Sequence, residues 1–170
     1  MSEVTKIYPS DRRALAEVSA LLEQEGIRLD RHLDYISAIR DDECHLIATG
    51  SMFRNTLRCF AVDHRHQGEG LLNTIVSHLM EQQLLRGNFE VFLYTKPASA
   101  RFFRDLGFYE IARVEGRLVF MENQPQGFAR CLQRFKKETT DFLAARQETL
   151  DEANPVAAIV MNANPFTLGH

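Results

Sequence analysis

The chain has no tryptophan and only three cysteines among its 170 residues. Cys44, Cys59 and Cys131 are odd in number and widely spaced, which excludes a disulfide scaffold and matches free thiols in a reducing cytoplasm. No apolar run approaches the roughly 18 residues that cross a bilayer, so no membrane association is expected. Met1-Ser2-Glu3-Val4-Thr5-Lys6 carries no apolar stretch after its charges, so no secretory signal is expected either. A charge excess of one sign is also missing. The formal net charge is -3, and Lys136-Lys137 is merely a basic pair on a polar stretch, which leaves no electrostatic footprint for nucleic acid. Internal repeats and low-complexity segments are absent. The expectation is a soluble cytoplasmic chain, 45% hydrophobic, long enough to bury one substantial core.

Hydrophobic periodicity divides that length. Ser10-Asp11 offers capping chemistry ahead of Leu15, Val18, Leu21 and Leu22, which recur at helical spacing until Gly26. Asp30 to Asp34 is expected to form a short second helix. Tyr35 to Arg40 reads as a strand and Asp41-Asp42-Glu43 as a polar turn. Cys44 to Phe53 and Leu57 to Val62 are two further strands joined at Arg54-Asn55-Thr56, completing an antiparallel meander. The period then changes: Leu71, Leu72, Ile75, Val76, Leu79, Met80 and Leu84 share one helical face that Gly87-Asn88 closes. Glu90 to Tyr94 is a short buried strand, and Ser99 to Leu106 a helix stopped by Gly107. Phe108 to Val114 and Leu118 to Met121 form a last strand pair turning at Glu115-Gly116. After a break at Pro125 to Gly127, Phe128, Leu132, Phe135, Phe142, Leu143 and Leu150 mark a long helix ended by Asn154-Pro155, and Val156 to Met161 is an apolar run of strand type. The expected organisation is a domain over 1–124, a connecting helix over 125–154 and the beginning of another unit over 155–170.

One segment points to a ligand. Phe60-Ala61-Val62-Asp63-His64-Arg65-His66-Gln67-Gly68-Glu69-Gly70-Leu71 is a strand running into a two-glycine turn and directly into an amphipathic helix. Gly68 and Gly70 let the backbone approach a ligand and turn N–H groups toward it. The helix N-terminus adds partial positive charge, so the whole makes a cradle for a diphosphate. The same glycines also fit a tight strand-to-helix connection with no ligand. His64 and His66, near Cys59, lack the second ligand pair of a zinc site and read as solvent-facing polar residues, so no metal is expected.

Arg65-His66-Gln67-Gly68-Glu69-Gly70 is similar to the R/Q-x-x-G-x-G/A loop of the GNAT superfamily, which holds the pyrophosphate of acetyl-CoA. Ala100-Arg101-Phe102-Phe103-Arg104-Asp105-Leu106-Gly107-Phe108 resembles the A-x-F-Y-x-x-x-G-F run of the same superfamily. The resemblance spans Lys6 to Met121. It implies an α/β (α+β) domain of the acyl-CoA N-acyltransferase type, with a mixed, mostly antiparallel sheet flanked by helices. It places Val62, Arg65, Gln67, Gly68, Glu69, Gly70, Leu71, Phe102 and Phe103 around a CoA-like cofactor. Phe102, Phe103 and Phe108 are the phenylalanines expected to touch it. Phe103 stands where GNAT enzymes often carry the tyrosine that protonates a leaving thiolate, and a phenyl ring has no proton to give. Lys96-Pro97 stands where many place an asparagine. Glu43, Glu90 and Glu110 are candidate bases that no motif singles out. The implied fold binds a CoA-like molecule with incomplete machinery for acetyl transfer.

Ala157-Ala158-Ile159-Val160-Met161-Asn162-Ala163-Asn164-Pro165-Phe166-Thr167-Leu168-Gly169-His170 resembles the nucleotidyltransferase superfamily, whose [HT]-x-G-H tetrapeptide binds the triphosphate of ATP. That resemblance implies ATP, with Mg, held by Asn162, Asn164, Phe166, Thr167, Gly169 and His170. Thr167 and His170 are then catalytic, His170 donating to the phosphates as charge builds. An ordinary apolar strand and turn is the alternative. In this order the two halves resemble the citrate lyase ligase family, as do Tyr94-Thr95-Lys96, Met121-Glu122-Asn123 and Val160 to Phe166. That family uses ATP and acetate to acetylate the thiol of a CoA-derived phosphoribosyl-dephospho-CoA arm on the acyl carrier subunit of citrate lyase, releasing AMP and pyrophosphate. Acetate and that carrier are the implied partners. The implied division of labour gives acetate activation to the second unit and the thiol arm to the GNAT-like one. A chain stopping inside the second motif is expected to bind ligand without completing the ligase reaction. Two other classes remain open: a self-standing N-acetyltransferase acting on an amine, and a non-catalytic module that docks the carrier.

Overall fold

The computed structural model describes residues 3–146. The chain divides into two compact units, Met1–Arg130 and Cys131–His170. The first contains seven strands in the order β1-β2-β3-β4-β5-β7-β6, antiparallel except for the β4–β5 pair.

The chain begins with β1 (Val4–Ile7), which the periodicity did not reveal because only Ile7 of its four residues is buried. Helix α1 (Arg12–Gln24) follows, and Asp11 caps it by accepting a hydrogen bond from the Ala14 N–H at 2.9 Å. Its Ala14, Val18, Leu21 and Leu22 pack on one sheet face together with Ile36, Ala38, Cys59 and Ala61. The expected helix over Asp30 to Asp34 does not form. Both aspartates are drawn elsewhere: Asp30 pairs with Arg58 at 3.2 Å, while Asp34 accepts from the Arg54 N–H and lies 3.7 Å from Arg86. A short segment whose acidic ends are bonded outside it has little left to support a turn of helix.

Strands β2 (Tyr35–Arg40), β3 (Leu46–Phe53) and β4 (Thr56–Val62) form the expected meander. Two of its buried hydroxyls are bonded across the sheet, Ser37 Oγ donating to the Gly50 carbonyl and Thr49 Oγ1 to the Ser37 carbonyl, both at 2.8 Å, while the Ser51 hydroxyl is buried without a partner among the described residues. The opposite face is covered by α2 (Leu71–Leu85), whose Leu71, Ile75, Val76 and Leu79 join the larger core. Fully buried Gln83 fixes the far end of α2 by donating to the Arg54 carbonyl at 2.7 Å and accepting from Asn88 at 2.7 Å.

Strand β5 (Phe92–Thr95), a 3-10 turn at Pro97–Ser99, helix α3 (Ala100–Asp105) and the hairpin of β6 (Tyr109–Val114) and β7 (Leu118–Glu122) complete the sheet. Helix α4 (Gly127–Ala145) begins as the Phe128 N–H donates to buried Glu122 at 2.7 Å. The division between the two units falls inside α4, after Arg130. The described part of the second unit is the remainder of that helix, with Leu132, Phe135 and Phe142 exposed and an Arg134–Glu138 pair at 3.7 Å. The sequence motif over Asn162, Asn164, Phe166, Thr167, Gly169 and His170 lies outside the described residues.

Candidate functional site

A register slip in β4 builds the site. Thr49 pairs with Ala61 and Ser51 with Arg58, so β4 carries one residue more than β3 between those points. Such a bulge sets two neighbouring residues opposite one. Here Cys59 adopts a left-handed backbone, φ 53°, and Gly50 sits opposite. The bulge changes which face each side chain meets. Leu57 lies in the core under α2, Cys59 and Ala61 in the core under α1, and Phe60 and Val62 again against the α2 side.

Beside the bulge the sheet parts. Strand β4 pairs with β5 only through Thr56↔Phe92 and Leu57↔Leu93. Beyond that point the two strands border a cavity of about 760 Å3, lined by Arg58 to Val62 on one side and by Tyr94, Thr95 and Lys96 on the other. Its walls come from both core clusters, so the opening runs through the sheet from the α2–α3 face to the α1 face.

On the α2–α3 face lies the glycine loop. Asp63 is pinned by its N–H donating to the Ile47 carbonyl at 2.8 Å, and its carboxylate receives the Arg65 N–H at 2.9 Å, Nε at 3.1 Å and Nη2 at 3.0 Å. That fork of hydrogen bonds from Arg65 holds the Asp63 carboxyl far below the ordinary carboxylate range. His66 Nδ1 lies 3.1 Å from Glu69 and His64 Nδ1 3.5 Å from Asp63, so both histidines are engaged within the loop. Gly68 and Gly70 have φ of 91° and 76°, and a Cβ on either would meet nothing within 4 Å. Gly70 caps α2 without a side chain, and the first helical bond is Thr74 N–H to the Gly70 carbonyl at 3.1 Å. The N–H groups of Leu71, Leu72 and Asn73 therefore have no acceptor in the helix. Open space, left-handed glycines and free helix donors are what a diphosphate requires, and Val62, Leu71, Leu72 and Phe102 supply apolar walls for an uncharged arm. The residues present fit a CoA-type molecule.

Of the residues singled out from sequence, Val62, Gln67, Gly68, Gly70, Leu71, Phe102 and Phe103 line this cavity together. Arg65 and Glu69 do not line it; they brace the loop through Asp63 and His66. Phe103 is 1% exposed, its ring centroid 5.3 Å from those of Phe60 and Phe102. It meets the cavity as a wall of the core. Phe108 is equally buried and lies outside the cavity lining. The candidate bases are dispersed: Glu43 sits 3.6 Å from His45, Glu110 is paired with Arg113 at 2.7 Å, and Glu90 precedes β5. None of the three lines the cavity.

Sequence reasoning missed the α1-side wall, formed by Glu25, Ile27, Arg28, Asp30, Arg58, Cys59, Tyr94 and Arg117. These residues come from four separate segments, and no local pattern signals that they meet. Burial pushes the Cys59 thiol upward from its ordinary value, which keeps it protonated and a weak nucleophile.

No protein-family model matches the chain. It is 31% identical over 167 residues to the [citrate [pro-3S]-lyase] ligase of Escherichia coli strain K12, a match covering 98% of this chain and 44% of that protein. It is 32% identical over 160 residues to the protein of the same name from Klebsiella pneumoniae, covering 94% of this chain and 43% of the relative. The chain thus spans less than half the length of these relatives. The structure of an acetyltransferase of the GNAT family from Staphylococcus aureus superposes with a TM-score of 0.55 at 14% identity, over 72% of this chain and all of the other. Sequence and architecture together identify the chain as a GNAT-fold relative of the citrate lyase ligases, matched over nearly all of its own length and under half of theirs.

Proposed function

We propose that the gap between β4 and β5 holds a CoA-type molecule, with its diphosphate on Gln67 to Gly70 and the α2 N-terminus and its pantetheine arm along Arg58 to Val62. The observation that carries this is the geometry of Gly68 and Gly70: two left-handed residues facing open space at the end of a helix with unsatisfied donors. Such a molecule supplies a thiol or thioester. This chain supplies the cradle, the apolar walls and the orientation. It offers no tyrosine hydroxyl at position 103 for protonating a thiolate, so the site is better suited to presenting a thiol than to transferring an acetyl group from one.

The relationship to the citrate lyase ligases supports the wider reading. In the intact ligase the GNAT-fold part presents the thiol of the CoA-derived arm carried by the acyl carrier subunit of citrate lyase. The nucleotidyltransferase part, with Thr167 and His170 in its T-x-G-H tetrapeptide, uses ATP to activate acetate. The protein is then a cytoplasmic, AMP-forming acid–thiol ligase.

Thermal denaturation of the chain with acetyl-CoA, dephospho-CoA and ATP tests the cradle. A ligand at a hundredfold excess over its Kd adds about 2.7 kcal/mol, a shift of several degrees. The CoA compounds are expected to give that shift and ATP none. Replacing both Gly68 and Gly70 by valine is expected to abolish it. In the intact ligase the same double replacement is expected to stop thiol acetylation while acetate-dependent pyrophosphate release continues. Loss of both activities together, or survival of both, overturns the division of labour.

A further inference from the structure

The two mouths of the cavity differ in charge. The glycine loop opens on the α2–α3 face. On the α1 face the rim carries Arg28, Arg58, Lys96 and Arg117 against two carboxylates, Glu25 and Asp30. Strand alternation directs Arg58 in β4 and Lys96 just beyond β5 to this face, while Arg28 comes from the loop after α1 and Arg117 from the turn between β6 and β7. Leu93 and Val119 belong to the core under α2 and α3, so Tyr94, Lys96, Leu118 and Phe120 project to the other face. Arg58 confirms the side it serves by pairing with Asp30 and lying 5.6 Å from the Phe53 ring and 5.8 Å from the Tyr94 ring.

These cations are incompletely matched. Asp30 is taken by Arg58, whose buried Nε has no hydrogen-bond partner. Lys96 donates to the Glu25 backbone carbonyl, which neutralises nothing. Among the described residues the Arg28 and Arg117 side chains hold no ion pair or hydrogen bond, and both are exposed at the rim. A positive cluster on a chain of net charge -3 is not a product of overall composition. Beside it Tyr94, which lines the mouth, is held by stacking on Phe120 with centroids 4.6 Å apart, and Phe120 stacks on Phe92 at 5.5 Å.

We propose that the α1-side mouth is the recognition site for the second substrate, and that this substrate carries an anionic group, a carboxylate or a phosphoryl group, bound by Arg28, Arg58 and Arg117. The assignment rests on the reading of the glycine loop as the CoA-type site, since it makes the opposite mouth the entrance for the reacting partner. A guanidinium forks onto carboxylate and phosphate oxygens alike, which is why the chemistry is shared between these two sources. A protonated amine would meet four cations against two carboxylates, one of them already paired with Arg58, so the net positive rim favours an anion over the amine acceptors of an N-acetyltransferase.

Side-chain Nε–Hε resonances of the 15N-labelled chain test this directly. With CoA saturating the loop, acetate and inorganic phosphate are titrated separately, with spermidine as the cationic control. Either anion is expected to move the Arg28, Arg58 and Arg117 signals in a saturable way, and spermidine to leave them in place. Response to acetate alone assigns a carboxylate partner; response to phosphate alone assigns a phosphoryl one. Arg28→Ala with Arg117→Ala is expected to weaken anion binding about tenfold or more, and Arg28→Lys with Arg117→Lys to restore part of it. The Gly68 and Gly70 amides report CoA independently. If they respond and the arginines ignore both anions, the α1-side assignment fails alone. If the arginines respond and the glycines do not, the CoA reading fails and the anion site stands.

Discussion

At Thr56 and Leu57, β4 is hydrogen-bonded to β5 and the Leu57 side chain is fully buried; from Arg58 to Val62 the same strand borders the cavity. The two stretches adjoin within seven residues and share a neighbour in β3. What separates them is the extra residue in the ladder at Cys59. The closed stretch spends its backbone groups and side chains on the core. The open stretch keeps its β3 pairing on one edge and leaves the other for a ligand. A gap is thus made by withholding a few strand pairings rather than by hollowing out packed side chains: Cys59 and Ala61 of the open stretch still pack under α1, and only its edge toward β5 is released.

That separation can be broken by mutation. Leu57→Ala, in the closed stretch, is expected to cost about 2–5 kcal/mol in urea unfolding, while the thermal shift with CoA compounds persists wherever the variant is folded. Loss of that shift in the folded variant would mean that the two stretches are not independent. Phe103→Tyr, in the wall between them, is expected to cost about 1–3 kcal/mol because a hydroxyl enters a packed aromatic cluster. It should produce no transfer from acetyl-CoA to spermidine, since Glu43, Glu90 and Glu110 lie away from the cavity and the two carboxylates that line it, Glu25 and Asp30, stand among four cations that disfavour a polyamine. Measurable transfer would show that position 103 alone held back amine chemistry. Asp63→Asn should give the smallest effect, present at neutral pH and vanishing in acid. The folded-state pKa of Asp63 is depressed, so its contribution is complete above the unfolded value of about 3.9 and is lost as pH falls below it. The midpoint temperature of the native chain should therefore drop between about pH 4 and pH 2 more steeply than that of the variant.

The same contrast governs what the sequence revealed. The meander, α2 and the closing hairpin were legible because their apolar residues recur at period 2 or 3.6; Gly68 and Gly70 stood out through the likeness of their loop to a known superfamily motif, since a two-glycine turn alone fits a plain strand-to-helix connection equally well. β1 was not, having a single buried residue. Asp30 to Asp34 misled because its helix-like polarity is set by ion pairs with Arg58 and Arg86, distant in sequence. The roles of Arg65 and Glu69 were also hidden: the motif places them beside the ligand, while their partners Asp63 and His66 turn them into braces. The arginine rim was illegible because it exists only where β4 parts from β5, beside a one-residue mismatch between β3 and β4 that neither strand displays alone.

Gly50 extends this to the helix above. A methyl group there would stand 2.4 Å from Ile75 Cγ2 and 2.9 Å from the Phe60 ring, so α2 rests as low on the sheet as a bare backbone allows. The loop from Val62 to Leu71 is anchored to the sheet at one end and to α2 at the other, and its length suits that height. A larger residue at position 50 would act as a wedge. It would lift the helix, stretch the loop taut and draw the Gly68 and Gly70 amides out of line with the gap, although it touches neither. The depth at which the helix is seated is a dimension of the binding site, set by an atom that is not there.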